Sequence, residues 1–143
     1  MYERVLIAID GSEQSSKAAE AAVDLAAKEG AALFVIMVVP SPVYAGRGQG
    51  AQAQAPEDVA RVNAEKLVAS VVSKAEDRGV KARGEIVENI HSVVKAIADY
   101  ADEWKVELVV VGTRGLGMMK KMVLGSVSAG LLSEAKCDLL IVR

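Results

Sequence analysis

The chain has 143 residues, 52% of them hydrophobic, 3% aromatic and 25% charged, with a formal net charge of −2. That length suits one domain, residues 1–143, with a core of Ala, Val, Leu and Ile, since aromatic residues are too few to build it. The weakly acidic balance argues against nucleic acid or an anionic membrane as the main partner, so any anion site has to be local.

The opening "MYERVLIAID" sets two charges before an apolar run too short for a signal peptide or a membrane span. With Cys137 the only cysteine, no internal disulfide can form, and a cytoplasmic location is expected. Cys137 itself reads as a small buried hydrophobe. "RVLIAI" (Arg4 to Ile9), bounded by Asp10 and Gly11, predicts a strand buried on both faces. Ser12 then caps a helix with small apolar residues at Ala19, Ala22, Val23 and Ala26, and Gly30 stops it. "AALFVIMVV" (Ala31 to Val39) predicts a second buried strand, and the segment from Ser41 to Ala55 a flexible loop.

Pro56 suits the first turn of a second helix, which runs toward Arg78 and Gly79. "VKARGEIVE" alternates only in part and predicts an edge strand with an irregularity at Gly84. The helical spacing of Val93, Val94, Ile97, Ala98, Ala101 and Trp104 predicts a third helix. "VELVVVG", "SVSAGLLSEAK" and "DLLIVR" supply a strand, a helix and a last strand. This alternation implies an α/β fold, a five-stranded parallel sheet with helices on both faces. The expected order is 3-2-1-4-5, flavodoxin-like, with a ligand outside the carboxyl ends of strands one and four, where Asp10 and Gly112 stand.

"GTRGLGMMKKMVLGSVS" (Gly112 to Ser128) therefore runs from strand to loop to helix start at the predicted switch point. Glycines let backbone N–H groups approach an anion, and a helix N-terminus adds unpaired donors with partial positive charge. Ser126 and Ser128 bring hydroxyls and Arg114 a cation, while Lys120 and Lys121 read equally well as a solvated face. Neither G-x-x-x-x-G-K-S/T nor G-x-G-x-x-G is present, and "GRGQG" reads as a linker. Met118, Met119 and Met122 read as space-filling and Trp104 as helix packing. His91, the only histidine, reads as a cap or surface residue. There is no Cys-His or Ser-His-Asp arrangement for a nucleophilic mechanism. Taken alone, Asp10 reads as a turn residue. On these grounds the stretch is an anion site, best suited to a nucleotide phosphate tail.

Gly112, Gly115, Gly125 and Ser126 spell G-x-x-G, nine residues, then G-S/T, which resembles the ATP-binding signature of the universal stress protein family. "RVLIAIDGSEQSSKAAEAA" and "CDLLIVR" resemble that family's opening and closing segments; the second helix and third strand match in pattern only. The resemblance implies a three-layer α/β/α sandwich of the adenine nucleotide alpha hydrolase-like kind, binding ATP, with Mg²⁺, between the ends of strands one, two and four. It implies that Ala8, Ile9 and Asp10 line the adenosine, with the Asp10 carboxylate near the ribose or a metal on the phosphates, and that Val38 meets the adenine. Val111, Gly112, Thr113, Arg114 and Gly115 would wrap the ribose and phosphates, and Gly125, Ser126, Val127 and Ser128 would donate to the phosphates. A homodimer through the C-terminal strand, an unknown protein partner and a regulatory stress-response role are implied as well. Two alternatives stand beside it, a slow ATPase or nucleotidyl transferase and a nucleotide-free structural dimer; a flavin carrier is disfavoured by the shortage of aromatics. "AKCDLL" departs from the family's "A-P-C-P-V" before the last strand, which bears on the turn into that strand rather than on the phosphate site.

Overall fold

A computed structural model describes residues 1–39, 54–88, 91–113 and 124–143. Within them the chain alternates β1 (Arg4–Ile9), α1 (Glu13–Glu29), β2 (Ala32–Val39), α2 (Gln54–Asp77), β3 (Ala82–Glu88), α3 (Val93–Glu103), β4 (Leu108–Gly112), α4 (Ser126–Glu134) and β5 (Asp138–Val142). All pairings are parallel, and the sheet order is β3-β2-β1-β4-β5, as the alternation predicts. The second helix starts earlier than expected, so Gln54 and Ala55 are helical rather than loop. Pro56 then sits in the first turn, where no N–H is needed for an intrahelical bond. The rest of the expected loop, residues 41–53, lies outside the described residues.

Period-two alternation divides the core in two. Val5, Ile7 and Ile9 of β1 and Leu33 and Val35 of β2 face α1 and α2, where Ala18, Ala22 and Ala26 bring α1 down onto the sheet. Leu6, Phe34, Ile36, Val109 and Val111 face the other way, packing with Ile97 and Tyr100 of α3 and Leu131 of α4. Trp104, at the end of α3, joins Phe34 and Tyr100 in an aromatic cluster, with the Arg83 guanidinium 4.1 Å over its ring. The packing reading of Trp104 holds. Ser12 and Ser92 cap α1 and α3 by accepting from the N–H groups of Ser15 and Lys95, and Gly30, at φ 68°, ends α1 in the left-handed region.

The expected irregularity at Gly84 is absent. β3 pairs with β2 without a break, from Leu33↔Ala82 to Val39↔Glu88. Gly84 is instead a close-approach position, because a Cβ there would lie 2.4 Å from Val68 Cγ1 and 3.1 Å from Val72 Cγ2 of α2. Gly84→Ala is therefore expected to cost about 1–3 kcal/mol through overpacking. Denaturant melts of Gly84→Ala, Val68→Ala and the double variant check this. The two changes should compensate, with a coupling of about 1 kcal/mol or more; additive losses would mean that Gly84 is not packed against Val68.

Candidate functional site

The strand order reverses direction between β1 and β4, which leaves a crevice outside their carboxyl ends. At the end of β1 the chain turns sharply into α1. Asp10 Oδ1 accepts the Ser12 N–H at 2.8 Å, Gly11 takes φ +87°, and the Ser15 hydroxyl accepts the Asp10 N–H at 3.3 Å and donates to the Ser12 carbonyl at 3.1 Å. Asp10 is thus a turn residue as well as a crevice residue. Its second oxygen takes part in neither bond of that turn.

At the end of β4, Thr113 donates its N–H to the Val142 carbonyl at 2.8 Å and accepts from the Gly125 N–H at 2.5 Å and the Ser128 hydroxyl at 2.9 Å. The Gly125 N–H and the Ser128 hydroxyl, expected to point at phosphates, therefore point inward. α4 begins at Gly125 without a side-chain cap, in contrast to α1 and α3. Its first-turn N–H groups, on Ser126, Val127 and Ser128, have no intrahelical acceptor. These three donors face the same end of the sheet as Asp10.

The crevice encloses a cavity of about 300 Å³. Eleven of the thirteen residues expected at the site are described, and all eleven line it: Ala8, Ile9, Asp10, Val38, Val111, Gly112, Thr113, Gly125, Ser126, Val127 and Ser128. The other two, Arg114 and Gly115, lie outside the described residues, as do Lys120, Lys121, Met118, Met119 and Met122. The cavity also takes in Ser15, Val93 and Ile97, none of which was expected at the site from sequence. In a parallel α/β sheet every helix starts at the carboxyl edge, so first-turn residues such as Ser15 and Val93 were findable on that rule.

The floor is apolar, from Ala8, Val38, Ile97 and Val111, and one wall is backbone N–H; among the described residues of the lining Asp10 is the only charged one. A flat apolar ring carrying a polar, anionic tail matches that division. A larger groove of about 610 Å³ lies between α1 and α2 and shares Ile9 and Ser15 with the cavity. Among the described residues it is walled mostly by side chains of α1 and α2, and the start of α1 that borders it is capped, with the Ser15 N–H held by the Ser12 hydroxyl. The crevice is therefore the better-built site.

Among the described residues no group of three or more His, Cys, Asp or Glu is placed to hold a metal, and no helix is long and apolar enough to cross a membrane. Desolvation pushes the Cys137 thiol above its usual range, and the side chain is half-buried rather than fully buried as expected.

A model of the universal stress protein family matches residues 1–143. Universal stress protein YxiE of Bacillus subtilis is 33% identical over 150 residues, spanning all of both chains. Among solved structures, the universal stress protein UspA from Lactobacillus plantarum superposes with a TM-score of 0.88 at 22% identity, covering 99% of this chain and 98% of that one. A universal stress protein in complex with cAMP superposes with a TM-score of 0.75 at 28% identity, covering 99% of this chain and 97% of the other. Whole-length agreement of sequence and fold leaves one conclusion, that the chain belongs to the universal stress protein family.

Proposed function

We propose that the crevice binds ATP and that the protein is a nucleotide-dependent regulatory module of the stress response. The observation that carries this reading is the convergence of eleven expected residues on one cavity with an apolar floor and an uncapped helix start. A 28% identical relative solved with cAMP supports an adenine nucleotide as the ligand. The adenine would lie on Val38, Ala8 and Ile97, and the phosphates at the N–H groups of Ser126, Val127 and Ser128.

Mg²⁺ fits this arrangement as a phosphate-bound ion, since such sites need only one or two carboxylates besides phosphate oxygens and water, and Asp10 has an oxygen outside its turn. When bound, the ion would neutralise phosphate charge beside that carboxylate. The dimer belongs to the same proposal. β5 is an edge strand with half-buried Leu139, Ile141 and Val142 and with Leu140 exposed, the profile of a strand that pairs with a second copy.

Mass spectrometry of the nucleotide released from freshly purified protein, followed by calorimetric titration of the stripped protein with ATP and Mg²⁺, tests the reading. One ATP per chain, bound without turnover, is the expected result. Steady release of ADP would make the protein a hydrolase instead, and no binding would leave a nucleotide-free structural dimer.

A further inference from the structure

Ser128 stands in the signature segment as if its hydroxyl were a phosphate ligand, but its surroundings give it another task. The side chain is 2% exposed and its oxygen lies 2.9 Å from the Thr113 carbonyl and 3.2 Å from the Gly125 carbonyl. A serine hydroxyl has one proton, and it is already placed between these two acceptors. The Thr113 carbonyl in turn has two lone pairs, filled by the Gly125 N–H and the Ser128 O–H, while the Thr113 N–H is held by Val142 of β5. Both backbone polar groups of Thr113 are occupied.

We infer that Ser128 is a positioning residue: its hydroxyl locks the start of α4 to the end of β4, and so holds the first-turn N–H groups of α4 where an anion can meet them. Thr113 directly follows β4 and Gly125 directly precedes α4, so this junction fixes the separation of the two elements. The roles of the two serines then divide. Ser126, exposed at the mouth, is the one whose hydroxyl is open to a ligand; Ser128 offers the ligand only its backbone N–H. A donor that had to leave the Thr113 carbonyl to reach a phosphate would release the junction it holds.

The inference rests on the nucleotide reading for its consequence but not for its test, which begins in the nucleotide-free protein. Ser128→Ala should speed hydrogen exchange at the Gly125 amide by about tenfold, the worth of one buried hydrogen bond. ATP affinity by calorimetry should fall by about tenfold as well. Ser126→Ala should weaken ATP binding but leave Gly125 exchange unchanged, because its hydroxyl faces the ligand and not the junction. Should Ser128→Ala not fold, Ser128→Cys, of similar shape with a weak donor, gives the same readouts. Unchanged Gly125 exchange overturns the inference, whether affinity is lost, as for a direct phosphate ligand, or kept. Faster exchange with unchanged ATP affinity overturns the positioning role. If the unmodified protein binds no nucleotide, the functional proposal fails separately, and the exchange measurement still decides the junction.

Discussion

Gly112→Ala is expected to lower stability by about 1–3 kcal/mol and to weaken nucleotide binding by ten- to a hundredfold, for a reason unconnected with the phosphate. A Cβ at Gly112 points away from the cavity, toward α1, where it would lie 2.8 Å from the backbone carbon of Gln14, 2.9 Å from its Cβ and 3.0 Å from its oxygen. Two of these atoms are backbone, so no rotamer change relieves the clash. Either the first turn of α1 or the end of β4 has to move by about half an ångström. Asp10 and Ser15 are tied to that turn, and Thr113 follows Gly112 directly, so movement of either element misaligns several polar groups. Two or three hydrogen bonds, each worth about 0.5–1.5 kcal/mol, account for the binding loss.

Thermal melts and calorimetry separate the two effects, with a fall in midpoint of roughly 2–10 °C for a chain of this size. Gly84→Ala is the control, because it overpacks α2 against the outer strand β3 and touches nothing in the crevice. It should lose stability and keep affinity. If Gly112→Ala behaves the same way, the seating of α1 has no bearing on the site.

Gly84, Gly112 and Ser128 also mark the limit of what was legible in the sequence. The strand order was legible because five apolar or alternating runs separated by helical spacing leave few parallel topologies. The crevice was legible because Asp10 and the glycine segment fall on neighbouring strand ends. What a glycine is for was not legible. Gly84 and Gly112 both occupy strand positions facing a helix, and their role depends on how close that helix lies, a distance set by side chains elsewhere in the chain. Gly112 serves the helix–strand contact whatever approaches it from the other side. Ser128 is a similar case, since a hydroxyl near a helix start looks the same on paper whether it faces a ligand or a carbonyl. Ile97 was read as one of the apolar positions of a helix; it is buried in the core and also floors the cavity, and helical periodicity identifies the apolar face without saying where the core opens.

Ala8→Leu is expected to abolish nucleotide binding, by about a hundredfold or more, while leaving the fold in place. Ala8 is half-buried on β1, with its Cβ on the α3 and α4 side of the sheet, and it floors the cavity beside Val38 and Val111. Three more carbons there occupy space that a bound ring would need within a cavity of about 300 Å³. A well-packed ligand cannot share that volume without strain of about 1–3 kcal/mol or more, on top of the contacts it loses. The empty protein feels no such crowding, because the leucine grows into open space and covers apolar surface already there. Its melting temperature should hold or rise. The paired variant is Ser70→Leu, on α2, which lines only the larger groove between α1 and α2 and should bind ATP as the parent does. The reverse pattern, with ATP binding kept by Ala8→Leu and lost by Ser70→Leu, would move the ligand to the other face of the sheet. Ile9 and Ser15 would then matter as walls of that groove, and the uncapped start of α4 would need another explanation.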